Sequence, residues 1–155
     1  MNYAALLETP TFEGAWGELE QLMNKDTFLD FEEEQPLASG KWSRKEIIGH
    51  LIDSALNNIQ RFTRAQIPSH LEQGILVVAG YAQNDWVSLA KYNNRLSTDL
   101  MELWLGLNEH ILSLLEQCNS LAVQIKIDDA APSSLEDVFI SYVGHVKHHL
   151  TQLTP

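Results

Sequence analysis

The 155-residue chain has a single cysteine, Cys118, which excludes an internal disulfide and any cysteine-based zinc motif. Cys118 lies at helical spacing from Ile111, Leu114 and Leu115, so it reads as a small buried hydrophobe. Positive charge is scarce: 10 lysines and arginines face 21 aspartates and glutamates, a formal net charge of -11 with no basic stripe to offset it. Such a surface repels a phosphate backbone, and no nucleic-acid partner is expected. No apolar run reaches the roughly 18 residues of a membrane span, and no membrane partner is expected either. The opening MNYAALLETP lacks the positive region and long apolar core of a secretory signal, so the expected location is the cytoplasm. There is no internal repeat, low-complexity tract or linker. One domain over residues 1–155 is expected, with 45% apolar and 20% charged residues, a globular composition.

What the chain does contain is helical periodicity. In KWSRKEII, Ser43 and Glu46 have the spacing of a capping box, and Trp42 and Ile47 occupy the staple positions. From there Ile47, Ile48, Leu51, Ile52, Ala55, Leu56, Ile59 and Phe62 form a wide apolar face that Pro68 terminates. Before it, TPTFEGAWGELEQLMNK predicts a first helix with Thr9 as cap and Phe12, Trp16, Leu19, Leu22 and Met23 inside. After it, a third helix is predicted from Asn84 or Asp85 to about Gln117, kinked near Gly106. A fourth runs to Leu153, with Ser133 and Glu136 repeating the capping-box spacing. The segment Leu121 to Ile127 alternates, but one strand makes no sheet. The expectation is an all-α protein, a four-helix bundle with a long crossover connection between helices two and three.

The last helix carries three of the six histidines within HVKHH. At about 100° per residue, His145 and His149 fall toward the apolar arc of Leu135, Phe139, Tyr142, Val143, Val146 and Leu150, whereas His148 points to the polar side. An i, i+4 pair of imidazoles is a spacing that can hold one cation, and it is also a spacing at which core-edge histidines simply find hydrogen-bond partners. Both readings stay open. A third ligand is available on helix two, where His50, Ser54, Asn57 and Arg61 form a polar stripe beside the apolar face. Glu46, Asp53, Gln60 and Arg64 read as the outward arc. His70 lies in the loop after Pro68, and His110 sits mid-helix beside Glu109.

Trp42-Ser43, Glu46, His50-Leu51 with Asp53, Arg61-Phe62, Trp86, and His145 with His149 and Gln152 together resemble the DinB-like family of metal-binding four-helix bundles. The resemblance spans most of the chain from about residue 40 onward. It implies a divalent metal, nickel, zinc or iron, held by His50, His145 and His149. It also implies a homodimer, and an activity like that of the family's thiol-dependent S-transferases, in which a low-molecular-weight thiol such as bacillithiol or mycothiol is transferred to a small electrophile. Hydrolysis is a lesser expectation. Under that reading Asp53 is a candidate base or ligand-orienting residue, Asn57 and Arg61 hold a polar or anionic substrate group, and Tyr81 and Trp86 wall the pocket. The alternative is a non-catalytic, stress-related metal-binding bundle.

Overall fold

A computed structural model of the chain describes residues 1–24 and 36–153. Helix α1 spans Phe12–Met23 and is capped by Thr11, whose hydroxyl accepts the Gly14 N–H at 3.1 Å. Thr9 is therefore not the cap: its carbonyl accepts the Thr11 N–H and turns the chain into the helix. The predicted end at Lys25 lies outside the described residues. Helix α2 spans Arg44–Ala65 and begins in the expected capping box, with Ser43 Oγ accepting the Glu46 N–H at 3.1 Å and Glu46 accepting the Ser43 N–H at 2.8 Å. Its apolar face is buried as the spacing requires, except for Ile59, which is half-buried, and Leu56, which is 42% exposed.

The predicted third helix is two. Helix α3 (Gln83–Ala90) ends at Lys91, which adopts φ 53, and a 3-10 turn over Tyr92–Asn94 precedes helix α4 (Ser97–Glu116). Gly106 continues the helix without a break. The interruption comes from contacts that helical spacing does not encode. The Tyr92 ring lies against Gly49 of α2, where any Cβ would collide with it, and its hydroxyl donates to Asp53 Oδ1 at 2.6 Å. Beside it, Ser43 Oγ donates to Asn93 Oδ1 at 2.6 Å. These contacts also overturn the outward placement of Asp53, which is only 3% exposed.

Two segments between the helices pair. Strand β1 (Ile75–Val78) lies parallel to β2 (Gln124–Ile127) in the register Ile75 to Gln124, and β3 (Ser133–Ser134) adds antiparallel to β2. The all-α expectation is thus corrected to a mostly helical fold with a small three-stranded sheet. Leu76 and Ile125, neighbours in register, are buried on its inner side. Helix α5 (Leu135–Thr151) starts one residue later than expected, with Ser134 Oγ accepting the Asp137 N–H at 3.0 Å.

Among the described residues the four longer helices form the bundle: α2 packs on α4 and also meets α5, and α1 packs on α5. Its centre is filled by Leu19, Leu51, Phe62, Leu100, Trp104, Ile111, Phe139 and Val143, all fully buried. Lys147 on α5 pairs with Glu18 on α1. A 3-10 turn over Tyr3–Leu6 lies along α5, and Gly144 permits the approach, since a Cβ there would meet the Tyr3 carbonyl. No described helix is long and apolar enough to cross a membrane.

Candidate metal centre

The cluster is built by α2 and α5. Residue 50 follows the first turns of α2 in a fully buried position, where its ring packs on Trp42 with centroids 4.8 Å apart. On α5, His145 and His149 stand one turn apart with ring centroids at 4.6 Å, and each ring is within 5 Å of His50. One ligand atom from each of the three histidines lies within 4.8 Å of the other two. His50 Nε2 and His145 Nε2 are 3.0 Å apart. Two neutral imidazoles cannot aim lone pairs at each other at that distance without a proton or a cation between them.

The outer nitrogens of the rings indicate which atoms face inward. His149 Nδ1 is 2.9 Å from Gln152 Oε1, one helical turn on, and His145 Nδ1 is 3.5 Å from Ser54 Oγ. Both contacts leave Nε2 for the cluster, the arrangement by which an outer hydrogen bond orients a ligating imidazole. His50 Nδ1 is buried without a hydrogen-bond partner among the described residues. Burial, then the proximity of His149, pulls the His50 pKa down to about 4. Burial, followed by the neighbouring histidines, takes His145 down to about 3. His149 is lowered as well, chiefly by burial, with Gln152 opposing the shift. At neutral pH the cluster therefore presents three uncharged ring nitrogens and no proton to share as a charge. That donor set fits a divalent cation of intermediate softness such as zinc, nickel or iron. His148 is not part of it: half-buried, it packs on Tyr3 at 5.6 Å between ring centroids.

If Gln152 fixes the His149 tautomer, Gln152→Ala is expected to weaken metal binding about 10- to 100-fold with little change in secondary structure. Competition against a chromogenic chelator measures this. Unchanged affinity would mean that the side chain plays no part in orienting the ligand.

His145 borders a cavity of about 470 Å³ whose wall includes Ser54, Asn58, Arg61, Tyr81 and Tyr142. Ser54 links the two regions, since its hydroxyl contacts His145 and it lines the cavity together with Tyr81. Burial, with Asp53 adding to it, holds the Tyr81 hydroxyl up at about 12, so it is a proton donor at neutral pH and not a base. Asp128 and Asp137 stand at the exposed rim, Asp128 accepting the Gly80 N–H at 2.9 Å. On the other side, His149 borders a recess with Trp42, Asn84 and Gln152.

The remaining residues singled out in the sequence fall in different places. Arg61 and Tyr81 line the cavity. Asn57 does not; its amide donates to the Asp53 carbonyl at 2.8 Å within α2. Trp86 is partly exposed and supports Tyr81 from behind, ring centroids 5.0 Å apart. Asp53 is held by Tyr92 away from the cavity wall, its pKa raised by burial against the lowering effect of that hydrogen bond. The residue that spacing overlooked on α2 is Asn58, one position beyond Asn57, which shares the Ser54 side of the helix. Asp128 and Tyr81 were not recognisable as neighbours, because the β1–β2 pairing that joins their loops is remote in sequence.

No family model matches the sequence. A protein of Oceanobacillus iheyensis, named provisionally as a metal-dependent hydrolase, is 28% identical over 137 residues, covering 84% of this chain and 75% of its own length. The solved structure of YfiT from Bacillus subtilis superposes with a TM-score of 0.68 at 21% identity, covering 97% of this chain and 83% of YfiT. YfiT is described as a probable metal-dependent hydrolase with an unusual four-helix bundle topology. The chain shares the fold of YfiT. The three histidines that could hold a metal come from one helix at His50 and from a second at His145 and His149.

Proposed function

We propose that this chain is a metal-dependent enzyme that hydrolyses a small molecule held in the cavity beside His145. The observation that carries the reading is the convergence of three uncharged imidazoles, one of which, His145, borders a cavity lined by polar side chains such as Ser54, Asn58 and Arg61. Both relatives named above are described as metal-dependent hydrolases, which supports it. A divalent cation held by His50, His145 and His149 supplies Lewis-acid polarisation of a carbonyl or of water. The protein's own groups do the rest. Ser54 offers a hydroxyl beside His145, and Tyr81, kept protonated by burial, offers another in the same cavity. Asp128 and Asp137 at the rim are the carboxylates available to accept a proton from an attacking group, Asp128 through the oxygen not bound to the Gly80 N–H.

A second reading, transfer of a low-molecular-weight thiol to a small electrophile, is favoured by the recess at His149. A cluster reached from two sides suits two substrates. The deciding experiment loads the protein separately with zinc, nickel and iron(II), verifies the content, and assays small esters and amides with and without cellular thiols. Hydrolysis without thiol supports the first reading. Product that forms only with thiol, and carries it, supports the second. No turnover of any substrate by any loaded form would leave a non-catalytic metal-binding bundle.

A further inference from the structure

The hydroxyl and amide groups of the cavity serve neutral and charged molecules alike, but one residue in it does not. Arg61 reaches the cavity from α2, half-buried, and among the described residues its one hydrogen bond is to Asn58 Oδ1 at 3.4 Å. No carboxylate among the described residues lies within ion-pair distance of it; Asp128 and Tyr81 act on it only through space. A guanidinium has five donors in a fixed fork, and removing it from water is costly unless they are matched. Here, among the described residues, one acceptor meets it and the donors left over are not buried, so they remain accessible from the cavity, while partial burial pulls its pKa below the ordinary arginine value. The fork is the shape that takes two oxygens of one carboxylate, and it opens into the same space that touches His145.

The charge of the surroundings narrows the ligand further. The exposed rim carries Asp128 and Asp137, and the protein as a whole has a net charge of -11. Past the same two rim carboxylates a dianionic phosphate meets about twice the repulsion of a monoanion, so a single carboxylate is the anion that the rim disfavours less. We propose that Arg61, steadied by Asn58, is the specificity residue of this cavity and binds the carboxylate of a small monoanionic substrate whose amide or ester group is thereby presented to the histidine cluster.

The inference rests on the enzyme reading for its substrate, but its test reads binding and not turnover. Calorimetric titration of the zinc-loaded protein compares succinamate, which has a carboxylate and an amide, with succinamide, its neutral counterpart. Succinamate is expected to bind roughly ten- to a hundredfold more tightly, the range for a charge-assisted, two-oxygen contact. Arg61→Gln should erase the difference, and Arg61→Lys, which keeps the charge without the fork, should restore part of it. Equal binding of the two ligands by the wild type, or no measurable binding of either, overturns the proposal without requiring any variant to fold. A preference that survives in Arg61→Gln also overturns it, since the carboxylate would then be held at the zinc. Absence of turnover alongside the expected binding pattern would instead count against the enzyme reading and leave the carboxylate site standing.

Discussion

Replacing His149 with alanine is expected to lower affinity for zinc, nickel or iron by on the order of a hundredfold or more and to abolish any metal-dependent turnover. Loss of an outer-shell partner typically costs about 10- to 100-fold, and a ligand nitrogen contributes more than the groups that orient it. Two imidazoles, His50 and His145, remain with Nε2 atoms 3.0 Å apart, a two-point site in place of a three-point one. The fold should survive, because His149 is only half-buried and sits on the last turn of α5. His148→Ala is the matched control. It lies on the same turn and touches Tyr3 and Gln152, yet belongs to no part of the cluster. Metal content of the purified variants, with circular dichroism for the fold, checks the prediction. Retention of wild-type metal by His149→Ala would remove the cluster as the site, and equal losses in both variants would mean general damage to the end of the helix.

The second large effect is on stability. His50 belongs to α2 and the other two histidines to α5, so a cation binds the folded arrangement and not the unfolded chain. At free metal about a thousandfold above Kd, binding stabilises by roughly 4 kcal/mol. For a domain of this size that corresponds to a melting temperature lower by about 8 to 16 °C after chelation.

The chelated protein should also show a distinctive dependence on pH. In the unfolded chain these histidines titrate near the ordinary value of 6.5, whereas in the fold His50 is lowered to about 4 and His145 to about 3. As pH falls below about 6.5 the unfolded state takes up protons first, so stability is fully present above that pH and is lost progressively toward pH 4. For His50, fully buried, the whole interval is worth on the order of 3 kcal/mol; the three sites interact, so their separate effects do not add. Asp53 opposes this weakly at the acid end, since burial raises its pKa in the fold and the native state there binds its proton more readily than the unfolded one. Melts in excess chelator from pH 7.5 to 4.5 test the sign. A melting temperature that is flat or rises on acidification would contradict the burial of neutral imidazoles.

These effects depend on information held at two levels. Local chemistry is written in short stretches of sequence and was legible there. The Ser43–Glu46 box starts α2 because its two side chains satisfy each other's backbone N–H groups within one turn, whatever the rest of the chain does. The inward direction of His145 and His149 follows from helical geometry relative to Phe139, Val143 and Val146, and the same geometry puts His50 at the edge of α2's apolar face. The three candidate ligands could therefore be named before any fold was in view.

What could not be read were the contacts between distant segments. Tyr92 breaks a continuous apolar pattern because a glycine at position 49 leaves room for its ring, and that contact buries Asp53 against the polarity of its side chain. The strands β1 and β2 are each too short to declare themselves; either is stable only with the other beside it. Their pairing brings the loops carrying Tyr81 and Asp128 to one wall, and the side-by-side packing of α2 and α5 aims Asn58 and Arg61 at the same space as His145. The sequence by itself determined the apolar faces of the helices, the Ser43–Glu46 cap and the three imidazoles, because those depend on neighbours within one or two turns. Only the tertiary structure decided that the imidazoles meet, that a cavity adjoins them and that Arg61 opens into it, because those depend on which surfaces are buried together.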